Sequence, residues 1–195
     1  SYGPDNWRYV LEDYMKDPVK PTIDGEPSYE HVPIGLHDRG QEKWTEHDAR
    51  RYAYWSVFAG AFGHTYGHGS VMQFYTPGDA DRNFGVNISW KEALDSSGDG
   101  KYIHLKNLML SKPFLERVPD QSLIAGQNGL EYDYVIATRG QTYALIYSYK
   151  GRAFDVVMGK ISGTVVKASW YNPRTGETTL IGHFAFDKAQ NISSH

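Results

Sequence analysis

Two short stretches hold the residues whose types and spacing could do chemistry. Lys20-Pro-Thr-Ile-Asp-Gly-Glu-Pro-Ser-Tyr-Glu-His-Val-Pro33 gathers Glu26, Tyr29, Glu30 and His31. Gly63-His-Thr-Tyr-Gly-His-Gly-Ser70 gathers His64, Tyr66 and His68 between glycines. A carboxylate can act as nucleophile, base or acid, and Tyr and His can orient it or bind hydroxyls. His64 and His68 would need a helix to share a metal ion at that spacing, and the glycines argue against one, so no metal and no cofactor is expected. The plainer readings are a turn with solvated carboxylates and a hydrogen-bonded core histidine at His64.

Each stretch needs an element to position it. Thr22 and Ile23 are β-branched and follow Pro21, which reads as a short strand; Asp24-Gly25 ends it. Trp7, Val10, Leu11, Tyr14 and Met15 fall at helical spacing over Asp5 to Asp17, with Asp5 or Asn6 as cap and Pro18 as stop. Ile34 to Trp44 reads as a polar loop. Thr45 with Asp48 resembles a capping box, and the helix it opens runs from about Glu46 to Phe62, with Ala49, Ala53, Ser56 and Gly60 on a face suited to a sheet. The second stretch then reads as another strand and its exit loop. Trp90 opens a short helix, Asp95 to Gly100 reads as a surface turn, and Lys101 to Lys112 as a longer helix with Ile103, Leu105, Leu108, Met109 and Leu110 as its apolar residues.

Pro113 to Pro119 reads as a boundary. Beyond it the chain is strand-like: Tyr132 to Thr138, Thr142 to Tyr149, Ala153 to Met158, Val165 to Tyr171 and Thr178 to Phe186, joined by Gly- and Pro-containing turns. Short strands at this spacing indicate an antiparallel sandwich.

The order of these motifs resembles a known family. Asp-Gly-Glu-Pro-Ser-Tyr-Glu, the Ala-Arg-Arg-Tyr-Ala-Tyr-Trp helix and Gly-His-Thr-Tyr-Gly-His together look like the apiosidase-type glycoside hydrolases (glycoside hydrolase family 140-like), from about Asp5 to Phe186 and most sharply over Lys20 to Phe74. The resemblance implies a (β/α)₈ barrel followed by a C-terminal β-sandwich of a type named for collagen binding. It implies that this chain is α+β: the last two βα units of a barrel over residues 1–112, then a sandwich over residues 113–195. Barrel enzymes present their chemistry at the C-terminal ends of strands. Glu26, directly at the strand exit, is therefore the expected nucleophile of a two-carboxylate mechanism, with Glu30 its rival or a substrate ligand. Tyr29, His31, His64, Tyr66 and His68 are expected to contact substrate, and Trp44 and Tyr66 to stack on a sugar ring. Trp170, in Trp-Tyr-Asn-Pro-Arg-Thr-Gly, resembles the family's signature hairpin and is expected in the core. The family's closing Asp-Trp-Val-like strand is replaced here by Asp187-Lys-Ala-Gln-Asn-Ile-Ser-Ser-His195.

Composition limits the alternatives. Forty per cent of the 195 residues are hydrophobic, enough for a core. Twenty basic against 23 acidic residues with no basic block makes nucleic acid a poor partner. No apolar run is long enough to span a membrane, and no signal-peptide pattern stands at Ser1. Absence of cysteine excludes disulfides without fixing the compartment. The resemblance suggests a bacterial, exported or periplasmic enzyme acting on a plant or bacterial glycan. On this reading the acid/base carboxylate and the first six βα units lie outside this chain, so the chain alone is expected to be inactive. The alternative is a non-catalytic carbohydrate-binding or structural β-sandwich module.

Overall fold

A computed structural model describes residues 3–80, 82–95, 97–186 and 190–192. The fold is α+β. Helix α1 spans Asn6–Tyr14. Asn6 is not its cap: the side chain is buried and bonded into the interior, described below.

Helix α2, Glu46–Phe58, is the centre of the structure. Asp48 Oδ2 accepts from both the amide and the hydroxyl of Thr45, at 2.9 and 2.7 Å, which fixes its start. Every residue from Ala49 to Phe58 is buried, so this helix is covered on all sides rather than amphipathic. It ends earlier than its sequence pattern suggests. Gly60 turns the chain at φ +116°, against Tyr14, whose ring leaves no room for a Cβ there.

The strands that α2 connects are short. Strand β1 (Ile23–Asp24) pairs parallel with β2 (Gly63–His64), Asp24 opposite His64. Gly25 to Tyr29 then leaves the ladder, and pairing resumes at Glu30 and His68: Glu30 N donates to Gly67 O at 2.9 Å and Gly69 N to Glu30 O at 2.8 Å. Helix α3 is Trp90–Ala93 and α4 is Ser97–Leu110. Residues 97–100, expected as part of a surface turn, are instead the first turn of α4. Their glycines read as breakers, but Gly98 is buried at a close tertiary contact.

The remainder is antiparallel. Strands β3 (Val118–Pro119), β4 (Val135–Arg139) and β5 (Ala144–Ser148) form one sheet. Strand β6 (Phe154–Val156) pairs with β9 (Gln190–Ile192). Strand β7 (Val165–Tyr171) pairs with β8 (Thr178–Ala185), with a bulge between Ala168 and Ser169. The replacement ending thus supplies a last strand, while residues 187–189 and 193–195 lie outside the described ones. Trp170 departs from expectation: on the two-stranded β7–β8 sheet it is 37% exposed rather than in the core.

One hydrophobic cluster joins the two halves. It contains Trp44, Tyr52, Trp55 and Phe58 together with Ile136 of β4 and Tyr147 of β5. Trp7 stacks on Tyr134 at 3.9 Å and Tyr54 on Tyr147 at 4.6 Å. The Arg51 guanidinium lies 4.4–4.6 Å from the ring centres of Tyr52, Tyr132 and Tyr149 and pairs with Asp48 at 3.0 Å. Aromatic faces and a carboxylate together make the burial of that charge tolerable. Arg117 reaches back to the carbonyls of Val57 and Ala61 at the end of α2. A smaller cluster, including Leu123, Val135 and Phe154, lies wholly within the antiparallel part.

Candidate active site

Because β1 and β2 are parallel neighbours, the segments leaving them emerge at the same end. That end carries the residues singled out from the two motifs; Trp44 comes from the loop between them. The structure sorts them into three groups.

Glu26 stands apart. It follows Gly25 directly at the end of β1 and is exposed to solvent. Tyr29, half-buried beside it, leans its ring on Gly67, where a Cβ would stand 2.6 Å from the ring, and its hydroxyl points to Gly25 O at 3.4 Å.

The second group is Glu30, His31, Tyr66 and His68. Glu30 is 5% exposed. Tyr66 donates to Glu30 Oε2 at 2.8 Å, and a Cβ on Gly98 would come within 2.0 Å of that same oxygen. Glu30 is therefore packed against the first turn of α4, where a carboxylate complements the free amides of a helix start. Burial raises its pKa, opposed by the Tyr66 hydrogen bond. Glu30, expected in the loop as rival nucleophile or substrate ligand, is held between β1 and α4. His31 takes φ +61° and its ring stacks on His68 at 4.6 Å. Burial, reinforced by the neighbouring imidazole and Lys43, pushes His68 down to about 4; burial and Lys43 lower His31 as well. Both rings are thus neutral near pH 7.

One donor atom from each of Glu30, His31 and His68 lies within 4.8 Å of the others, the residue types of a metal site. The detail favours a hydrogen-bonding set instead. Ser70 N donates to His68 Nδ1 at 3.1 Å, so in the neutral ring Nε2 carries the proton and offers a donor rather than a lone pair. The His31 and His68 rings are also stacked on each other.

The third group is structural. Asp24 accepts from Ser56 Oγ at 2.5 Å and from Asn6 Nδ2 at 3.4 Å, while Asn6 Nδ2 also donates to Ser56 Oγ at 2.7 Å. His64 Nε2 stands 3.7 Å from the Asp24 carboxylate. The His64 side chain is 2% exposed, and burial pushes it down to about 4 against the pull of Asp24. This network ties α1, β1, α2 and β2 together and buries His64 among them. Asn6 and Ser56 were missed from sequence, because nothing local separates a capping Asn or a helical Ser from a buried one. Trp44 also moves inward: it is 5% exposed and edge-on to Tyr52 at 5.6 Å, so it offers no face to a sugar.

The model of a family described as "Apiosidase-like, catalytic domain" matches residues 1–116. The chain belongs to the apiosidase-like family. A second model, described as "Putative collagen-binding domain of a collagenase", matches residues 118–194. A solved structure titled "Glycoside hydrolase" is 50% identical with a TM-score of 0.94, and a glycoside hydrolase family 5 protein from Bacteroides vulgatus ATCC 8482 is 49% identical with the same TM-score. Each alignment covers 98% of this chain and 42% of the other, so this apiosidase-like chain spans less than half the length of those two relatives. No curated protein shows significant similarity to it. Among the described residues no helix is long and apolar enough to cross a membrane.

Proposed function

We propose that this chain is the C-terminal portion of a glycoside hydrolase acting on an apiose-bearing plant glycan, with Glu26 as its nucleophile. The observation that carries the assignment is the contrast between the two carboxylates of the first motif. Glu30 is buried against α4, whereas Glu26 is exposed at the end of a parallel strand, on the rim shared with Tyr29 and Tyr66.

On this reading residues 1–112 are the last two units of a (β/α)₈ barrel and residues 113–195 a β-sandwich. Support comes from the pair β1–β2 itself. A two-stranded parallel sheet is not stable with open faces, and Ile23 and Phe62 are 51% and 67% exposed beside it. A segment outside these 195 residues supplies the remaining strands, the acid/base carboxylate and the other wall of the site. The alternative of a free-standing module fits less well, because the aromatic core runs unbroken from α2 into β4 and β5. The site has no need of a resident metal or cofactor on this reading. The working environment is extracellular or periplasmic, where plant glycans are met.

The chemistry follows from two carboxylates about 5–5.5 Å apart. Glu26 attacks the anomeric carbon as the glycosidic C–O bond breaks. The partner acid protonates the departing oxygen. The same partner then takes a proton from water, whose oxygen displaces Glu26 and releases the sugar with retained configuration. Tyr29, His31 and Tyr66 are the candidates for binding hydroxyls around it.

In the full-length parent, Glu26→Gln should lower kcat by about 10³-fold or more while substrate still binds. Azide or formate should restore turnover to Glu26→Ala. Glu30→Gln should be milder. The purified 195-residue chain should hydrolyse no glycoside. Greater damage from Glu30→Gln, with no rescue of Glu26→Ala, would reverse the roles.

A further inference from the structure

The loop that leaves β2 closes a turn, with Phe74 N donating to Val71 O and Tyr75 N to Ser70 O, and places at its left-handed position a residue type that such a turn does not favour. Phe74 sits at φ +51°, in the left-handed region that a bulky side chain rarely occupies, yet it is 68% exposed. It gains little burial in return for that strain.

The strain is held in place from both sides. Gln73 Nε2 donates to Gly69 O at 2.6 Å and to Asn83 O at 3.2 Å, and Gln73 Oε1 accepts from Asn83 N at 2.8 Å. Tyr75 on the other side is 4% exposed; its amide donates to Ser70 O at 3.0 Å and its carbonyl accepts from Trp90 N at 2.8 Å. Trp90, itself half-buried, meets the Phe74 ring edge-on at 5.7 Å and 77°. The loop is therefore braced around a ring that it holds out into solvent. Strained residues kept in place by their surroundings cluster at ligand sites.

We propose that Phe74, braced by Trp90, is a stacking platform for a sugar unit of the glycan beyond the cleaved bond. The proposal rests on the glycosidase reading above. A rigid exposed aromatic face suits the C–H face of a sugar ring, which needs apolar contact without a hydrogen-bond partner. The loop emerges at the same end as Glu26, since β1 and β2 run parallel. Among the described residues, no ring contact or hydrogen bond links Phe74 or Trp90 to residues 24–31, so the platform is an outer subsite. It determines which extended glycans are held, not how the bond breaks.

The test uses the full-length parent and two substrates: an aryl apioside, which ends at one sugar, and an apiose-bearing pectin oligosaccharide. Phe74→Gly removes the ring and also relieves the backbone strain. The expected result is a KM for the oligosaccharide raised about tenfold, with kcat/KM for the aryl apioside within about twofold of the parent and a Tm unchanged or higher. Phe74→Trp should keep the oligosaccharide KM near the parent value. An unchanged oligosaccharide KM in Phe74→Gly overturns the proposal. So does an equal loss on both substrates with a lowered Tm, which marks a structural residue. A parent that cleaves neither substrate fails the glycosidase reading instead. The platform is then judged by calorimetric binding of the same oligosaccharide: weaker binding in Phe74→Gly sustains it, and equal or absent binding overturns it.

Discussion

The two halves of this chain solve the problem of burying strands in opposite ways. Up to residue 112 the strands are two residues long, parallel, and flanked by exposed apolar side chains; helices supply nearly all of the packing. Beyond residue 117 the strands reach eight residues, pair antiparallel, and carry a small core of their own. The first half has the candidate chemistry but not enough sheet to stand on. The second has the sheet and lends aromatic rings to the first. Stability and chemistry are thus separated along the sequence and joined in space through α2.

The strongest test of that dependence is truncation. A chain ending at Lys112 loses Tyr132, Tyr134, Ile136, Tyr147 and Tyr149, all packed on the shared cluster around α2. It should fail to fold, giving no cooperative thermal transition and weak helical circular dichroism. A cooperative transition in the truncated chain would break the comparison.

Arg51→Ala should come next in size. It removes the cation that Tyr52, Tyr132 and Tyr149 enclose, and it leaves Asp48 without its ion pair. A loss of about 3 kcal/mol or more is expected in urea unfolding. If the loss is below about 1 kcal/mol, the joint between the halves is held by the rings alone.

How much of this was legible beforehand depends on whether the deciding contact is local. The Thr45–Asp48 box and the run of β7 from Val165 to Tyr171 could be read directly, because capping and alternation act over a few residues. The place of Glu30 could not. Its neighbours in sequence make it look like a loop ligand, and only Gly98, far along the chain, shows it to be buried under α4. Trp44 and Trp170 misled in opposite directions for the same reason. An aromatic ring is equally suited to a core and to a sugar face, so its type alone does not decide between them. Glu26, by contrast, is exposed directly after the strand-ending Gly25, a placement set by its immediate neighbours.

Gly98→Ala probes the packing of Glu30 against α4. The added methyl would stand 2.0 Å from Glu30 Oε2 and 3.1 Å from the Tyr66 ring, so the carboxylate or the helix must move. A loss of about 1–3 kcal/mol is expected. Glu30→Ala in the same chain should recover part of it, since the two changes share one contact. Strictly additive losses would show that Gly98 is required for another reason.

The smallest expected effect is a graded acid sensitivity confined to the first half. His64 and His68 are pushed down to about 4 and His31 is lowered too, all by burial, and all three lie on or next to the β1–β2 pair. A depressed histidine is neutral in the folded chain at pH values where the unfolded chain already binds a proton. Its contribution is therefore fully present above about pH 6.5 and is lost as pH falls toward 4. Glu30 acts with the opposite sign over a window starting near pH 4.5: its raised pKa means that folding is disfavoured as pH climbs past the unfolded value. Between pH 7 and 5 the histidines outnumber it, so Tm should fall on acidification. His68→Gln should flatten that fall, because the substituted side chain takes up no proton in either state. Hydrogen exchange at pH 5 should show the loss as faster exchange at the amides of Glu30 and Gly69, with protection in β7 and β8 unchanged. Equal loosening of β7 and β8 would mean that the two halves open together, and that the division between a dependent half and a self-sufficient one does not extend to their local stability.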